Sequence, residues 1–248
     1  MLNNLLLSRP EDLAMTALTA EICELIERAT EEERKVVLAY LRERLPLHPL
    51  EVEWNITAEE ILTAIGRSSD LTLRGIRGIL AEAIFERRLL PEVEAMGWRV
   101  VKVIGDCSYD FLLERGADRV QIQVKLQRKE KGKPKEYPAR SLSKLNCPSK
   151  PVYVVEVQKT RNGEKNGEKT RPYRFGDFDI LAVNLHPSTN DWRRFVFTVA
   201  GWLLPRTTDK ELIEIFQPVS ITPDAYWTDS LPQCIEWFLS GTPKRLYS

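Results

Sequence analysis

The stretch from Ser108 to Lys125, SYDFLLERGADRVQIQVK, does most to limit what this chain can fold into. Its alternation predicts two strands joined by a tight turn. In the first, Tyr109, Phe111 and Leu113 face one way and Asp110, Leu112 and Glu114 the other, because successive strand side chains point to opposite faces. Gly116 and Asp118 mark the turn. In the second, Val120, Ile122, Val124 and Leu126 alternate without a miss against Gln121, Gln123, Lys125 and Gln127, which predicts a half-buried strand with one wholly polar face. A hairpin register then places Asp110 beside Gln123 and Lys125, an oxygen-rich site with one ammonium on rigid backbone. Asp106, just before the hairpin, is the reserve carboxylate for a different register.

Helices precede this hairpin. Residues 11–44 read as two helical pieces, one carrying Leu18, Ile22, Leu25 and Ile26, the other Val36, Val37, Tyr40 and Leu41. Thr30 followed by Glu31, Glu32 and Glu33 is an N-cap with acids in the first turn, and Pro46 and Pro49 end the second piece. Thr57 with Glu60 forms a capping box for a short helix that Gly66 ends. A longer helix is expected from about Leu73 to Leu90, with Ile76, Ile79, Leu80, Ala83 and Ile84 as its apolar stripe and Glu82 near the edge of that stripe. Gly97-Trp98 then opens a strand, RVVKVIG.

Behind the hairpin, KLQRKEKGKPKEYP reads as a mobile basic loop and ARSLSKL as a short helix. PVYVVEVQ, residues 151–158, reads as a buried strand. A second basic loop, with Asn162-Gly163 and Asn166-Gly167 turns, leads to an apolar strand starting at Asp179. Short helices are expected over DKELIEIF and LPQCIEWFLSG. These elements predict an α/β fold with a central mixed sheet of about five strands flanked by helices, and an N-terminal helical layer.

Charge is distributed unevenly although the 248-residue chain has a formal net charge of zero. Residues 1–64 hold 6 Lys and Arg against 13 Asp and Glu, whereas residues 125–174 hold 15 against 5. A basic segment directly after a candidate acidic site is what a polyanionic substrate requires; the alternative is a solvated lysine-rich loop. The acidic N-terminal helices argue against direct phosphate contact there and for packing or dimer contact. Cys23, Cys107, Cys147 and Cys234 are far apart and form no C-x-x-C, and His48 and His186 are the only histidines. Zinc sites and disulfide frameworks are poorly supported. Acid-base chemistry therefore falls to carboxylates, lysine, tyrosine or metal-bound water. No apolar run approaches membrane-spanning length and Met1 to Pro10 lacks a signal-peptide pattern, so a cytoplasmic protein is expected. The sequence carries no P-loop, no G-x-G-x-x-G and no G-x-S-x-G. The six tryptophans are scattered and suit core or interface packing.

Asp110, with Gln123-Val124-Lys125 at the end of the next strand, resembles the active-site pattern of the PD-(D/E)XK nucleases, the restriction-endonuclease-like superfamily. Two positions depart from the pattern. Tyr109 stands where the motif's name has proline, a position that the superfamily treats loosely. Gln123 stands where Asp or Glu is most frequent, although branches such as the Mrr-like nucleases carry Gln-X-Lys. The motif is short, and its setting adds weight: a helix before it, a basic loop after it and further strands behind. In this superfamily a glutamate of the preceding helix often joins the metal shell or orients a water, and Arg77-Gly78-Ile79-Leu80-Ala81-Glu82 is similar to that helix in restriction enzymes. The other reading pairs Glu82 with Arg74 or Arg77 on a solvated face.

The resemblance implies magnesium-dependent hydrolysis of phosphodiester bonds in double-stranded DNA. Asp110, the Gln123 amide oxygen, the Val124 backbone carbonyl and Glu82 would hold Mg2+, with Glu82 supplying the charge that Gln123 lacks. Lys125 would position or help deprotonate the water and stabilise negative charge. Arg128, Lys129, Lys131, Lys133 and Lys135 become candidate phosphate contacts. The run from Tyr173 to Asp179 is similar to later sheet strands of type II restriction endonucleases, which adds Arg171, Tyr173 and Arg174 as DNA contacts. A type II restriction enzyme acting as a homodimer is the first expectation. A repair or recombination nuclease, or a catalytically silent DNA-binding protein on the same scaffold, are the alternatives. The expected organisation is an N-terminal helical subdomain over 1–70, a nuclease core over 71–206 and a C-terminal helical extension over 207–248, with no organic cofactor.

Overall fold

The computed structural model describes residues 16–45, 48–105, 107–146, 151–159 and 171–247, and the backbone of 164–165 and 168–169. Asp106, Pro46, Cys147 and the Asn-Gly turns at 162–163 and 166–167 lie outside the described residues. The chain divides into two compact units, Met1–Leu73 and Arg74–Ser248.

The first unit holds α1 (Ala17–Arg28), α2 (Glu31–Arg42), α3 (Pro49–Trp54) and α4 (Ala58–Gly66). Side chains cap each one. Thr16 accepts from the Thr19 amide, and Thr30 with Glu33, His48 with Glu51 and Thr57 with Glu60 form reciprocal capping boxes, satisfying amides that a helix start leaves without partners. Pro49 is at the start of α3, where its missing N–H and fixed φ cost nothing. Arg34 Nε and Nη2 bond the Ile26 and Glu27 carbonyls at 2.9 and 2.7 Å, tying the end of α1 to α2. No described residue of these four helices is buried, so caps and local contacts define them more than a core does.

The second unit is built on a mixed sheet. The helix α5 (Asp70–Arg88) enters it, followed by α6 (Leu90–Ala95) and the strands β1 (Arg99–Val101), β2 (Phe111–Arg115) and β3 (Asp118–Leu126). Two short hairpins follow, β4 (Lys129–Glu130) with β5 (Lys133–Pro134), and β7 (Glu164–Lys165) with β8 (Glu168–Lys169), separated by β6 (Val152–Glu156). Then come β9 (Ile180–Asn184), α7 (His186–Thr189), β10 (Phe195–Val199), β11 (Phe216–Ser220) and α8 (Leu231–Leu239). The central sheet has the order β1-β2-β3-β9-β10, antiparallel except for the parallel pair β3–β9. β6 pairs with β11 in a separate two-stranded sheet.

Strand alternation divides the core in two. Val120, Ile122, Val124, Ile180, Ala182, Phe195 and Phe197 join Ala81 and Phe85 of α5 and Leu231 and Ile235 of α8. Leu181, Val183 and Val196 join Val155 of β6, Val219 of β11, Tyr173 and Trp227. The central sheet thus has helices on one face and the β6–β11 pair over the other, a mixed α/β arrangement.

Several sequence expectations change here. The polar face of β3 is not solvated: Gln123 is 2% exposed, because the β6–β11 layer and Tyr173 cover that face. Tyr109 does not share a face with Phe111 and Leu113; it packs against the second cluster, since regular strand geometry starts only at Phe111. In α5 the core-facing residues are Ala81 and Phe85, while Ile79 and Leu80 are 64% and 44% exposed. The basic segment after Lys125 is a hairpin, turning at Lys131 (φ 49°) and Gly132 (φ 79°), the left-handed pair that a two-residue hairpin loop needs. DKELIEIF forms no helix: Leu212 and Ile213 bridge to Arg174 and Pro205, and Phe216 starts β11.

Candidate active site

The β2–β3 register, Phe111 opposite Ile122, brings Asp110 to Gln123. The Asp110 amide donates to the Ile122 carbonyl at 2.9 Å, so the residue is held by the ladder just before β2 begins. Its Oδ2 accepts from the Val124 amide at 2.7 Å and from Gln123 Nε2. Its Oδ1 has no hydrogen bond among the described residues. One carboxylate oxygen is thus pinned to β3 and the other is left to act.

Lys125 and Glu82 complete a charged cluster with Asp110. Burial pulls the Lys125 ammonium below its ordinary value, against the opposing charges of Asp110 and Glu82. Burial raises Asp110, with Lys125, the Val124 N–H and Gln123 working the other way. Glu82 is pushed up to about 7, first by burial and then by the Asp110 charge, while Lys125 pulls it down. The helix α5 delivers this carboxyl because Ala81 and Phe85 lock the adjacent positions; Phe85 stacks near Phe111, Phe195 and Phe197 at centroid distances of 5.0, 5.7 and 6.4 Å. Glu82 has no ion pair among the described residues, so the pairing with Arg74 or Arg77 is not what this structure has.

The Gln123 amide is oriented differently from the ligand role expected for it. Its Nε2 faces Asp110 Oδ2 and, at 3.2 Å, the Val124 carbonyl, and its Oε1 accepts from the Tyr173 hydroxyl at 3.0 Å. Ligation through Oε1 would need the amide to turn over. Tyr173 itself is 4% exposed, edge-on to Phe178 at 5.2 Å, so it is corrected from a DNA contact to a buried residue beneath the site.

Donor chemistry fits a hard divalent cation. The carboxylates of Asp110 and Glu82, with the Val124 carbonyl alongside, are oxygen donors; burial raises the pKa of both, the Asp110 charge raises Glu82 further, and one lysine offsets them. Among the described residues no group of three or more His, Cys, Asp and Glu converges, which leaves these two carboxylates as the acidic donors.

The other expected DNA contacts divide by partner. Lys129, Lys131 and Lys133 stand exposed on the β4–β5 hairpin with no ion pair among the described residues. Lys135 pairs with Glu130 at 3.0 Å and lies over the Phe216 ring. Arg128 is engaged by Glu156, and burial and the nearby Arg74 lower its pKa. Arg171 bonds the Lys159 carbonyl at 3.2 Å and is 4.0 Å from Glu156; Arg174 pairs with Glu211 at 3.3 Å. Arg77 and His186 were not expected near this hairpin. Burial, then the Lys129 and Arg77 charges, lower the His186 pKa, and its ring stacks on Trp192 at 4.1 Å.

Comparison with known proteins identifies no family. No protein-family model matches the chain, and no curated protein does. Among solved structures, the bacterial homing endonuclease I-Ssp6803I aligns with a TM-score of 0.32 and 22% identity, over 63% of this chain and 81% of that one, a likeness too slight to carry an argument. No helix among the described residues is long and apolar enough to cross a membrane.

Proposed function

We propose that this protein is a metal-dependent endonuclease acting on double-stranded DNA, with Asp110, Glu82 and Lys125 as its catalytic group. The observation that carries the reading is the convergence of two carboxylates and one ammonium from α5, β3 and the residue before β2, all with displaced pKa values. Burial and neighbouring charges that displace three adjoining titratable groups mark a functional-site candidate. Asp110 and Glu82 would hold a magnesium ion, which would supply a Lewis acid to acidify water and neutralise charge at phosphorus. Asp110 is set for its part by the Val124 N–H, which fixes Oδ2 and leaves Oδ1 with no hydrogen bond among the described residues. The Lys125 ammonium, poorly hydrated where it lies, donates to a phosphate oxygen or to the attacking water and offsets the charge gained in the transition state. The hairpin lysines Lys129, Lys131 and Lys133, with Arg74 and Arg77 of α5, supply cations for the flanking phosphates.

A type II restriction enzyme, cutting as a homodimer at a palindromic site, is the finer form of this reading and rests on the Asp110…Gln123-Val124-Lys125 resemblance. The test is incubation of the purified protein with bacteriophage DNA in magnesium and in EDTA. Discrete bands only with magnesium support the restriction reading, and a smear supports a repair-type or nonspecific nuclease. Intact DNA in both lanes, with a gel shift at low salt, overturns the enzyme and leaves a DNA-binding protein. Asp110→Ala and Lys125→Ala should each abolish cleavage with the fold intact; wild-type rates in Lys125→Ala would sink its assignment.

A further inference from the structure

We infer that Tyr173 is a positioning residue whose hydroxyl fixes the face of the Gln123 amide and, through that amide, the Asp110 carboxylate. Its catalytic consequence rests on the nuclease reading above; its structural half does not. Four polar groups form one line, three donors in succession ending on a carboxylate acceptor. The Lys125 ammonium donates to the Tyr173 oxygen at 3.4 Å, the hydroxyl donates to Gln123 Oε1 at 3.0 Å, and Gln123 Nε2 donates to Asp110 Oδ2. Every proton points from the cation toward the anion, an order in which each bond polarises the next.

The order is set from both ends, since at one end the Asp110 carboxylate and the Val124 carbonyl accept from Nε2. An ammonium is donor-only, so beside Lys125 the phenol accepts with its oxygen and has its single proton left to give to Gln123. The amide must therefore present its carbonyl to Tyr173 and its NH2 to Asp110. Turned over, it would set Oε1 against a carboxylate oxygen, two acceptors facing each other at a residue 2% exposed, where water cannot make good the missing bonds. The Tyr173 ring is well placed to enforce this. It is held edge-on by Phe178, and the ammonium groups of Lys125 and Lys159 lie 5.4 and 5.5 Å from its centroid.

A glutamine has two unlike faces and needs to be oriented, whereas a methionine of similar length has no amide to orient. Loss of the hydroxyl should therefore matter with glutamine at 123 and matter little with methionine there.

The experiment compares wild type, Tyr173→Phe, Gln123→Met and the double variant by two readouts. In metal-free, DNA-free protein labelled with nitrogen-15, the side-chain amide signal that disappears in Gln123→Met belongs to Gln123. Slow exchange of its protons with water is expected in wild type, and faster exchange in Tyr173→Phe. In single-turnover cleavage with magnesium, Tyr173→Phe should cost about 10- to 100-fold in the glutamine background, as for groups that orient a metal ligand. In the methionine background its cost should fall to within about twofold. Unchanged amide exchange in Tyr173→Phe, or an equal loss of rate in both backgrounds, overturns the inference. Fast exchange of the Gln123 amide in wild type overturns it without any variant, which covers a Tyr173→Phe protein that does not fold. A wild-type protein that cuts no DNA refutes the nuclease reading instead, and the amide exchange still decides the orienting role.

Discussion

Glu82→Gln should make the metal-free protein more stable at pH 8 while removing its capacity to cut DNA. Burial and the Asp110 charge move this carboxyl from 4.5 to about 7. Between those values the folded state keeps a proton that the unfolded chain has released. Stability therefore falls as pH rises through that window and stays reduced above it. At 1.36 kcal/mol per pKa unit the whole displacement corresponds to roughly 3 kcal/mol. Glu82 is half-buried, and solvent screening brings this to about 1–2 kcal/mol. In a unit of this size that is a rise in Tm of roughly 2–8 °C at pH 8, shrinking to about a quarter of that at pH 5. Calorimetry in EDTA at the two pH values measures both, and a magnesium cleavage assay measures the loss of activity. A variant no more stable than wild type at pH 8 would refute the reasoning. So would a gain of equal size at pH 5, which would mean that glutamine suits the helix better for reasons unconnected with charge.

Phe85→Ala should cost about 3–5 kcal/mol, because it empties a fully buried site between α5 and three phenylalanines of the sheet; a urea melt showing less than about 1 kcal/mol would mean that α5 is not held there. Changing Lys129, Lys131 and Lys133 together to alanine should weaken binding to every DNA sequence alike and flatten the plot of log K against log salt by up to about 2.7, or about 0.9 for each phosphate no longer neutralised. An unchanged slope would take the hairpin out of the interface. Thr30→Ala removes the capping box of α2 and should speed hydrogen exchange of its first-turn amides, at a cost of about 1 kcal/mol.

How much of the fold could be read from the sequence depended on whether the deciding contact was local. The β2–β3 hairpin, the N-cap at Thr30 and the capping box at Thr57 were legible because their partners lie within a few residues. The buried stripe of α5 was not. Apolar residues occur on more than one side of that helix, and the choice of Ala81 and Phe85 over Ile79 and Leu80 is made by the phenylalanines of β2 and β10, far along the chain. DKELIEIF has helical composition, yet Leu212 and Ile213 are taken up by bridges to Arg174 and Pro205, a case of tertiary pairing overriding local preference.

The candidate site divides along the same line. Asp110, Gln123 and Lys125 come together through one hairpin register, which alternation alone predicts. Tyr173 is fifty residues from Gln123, and between Arg171 and Arg174 it reads as part of a basic surface. One signal did point to it. A glutamine on the inner strand of a sheet, once both faces are covered, needs a donor for its oxygen, and buried amides are seldom left without one. With the amide nitrogen drawn to Asp110, that donor has to be a hydroxyl or a cation from the covering layer. Lys125, two residues on along the same strand, is the nearer cation, but its ammonium reaches the tyrosine oxygen at 3.4 Å and leaves the amide to the phenol. The buried Gln123 amide therefore carries a requirement that its own hairpin does not meet: a second, distant side chain to donate to its carbonyl.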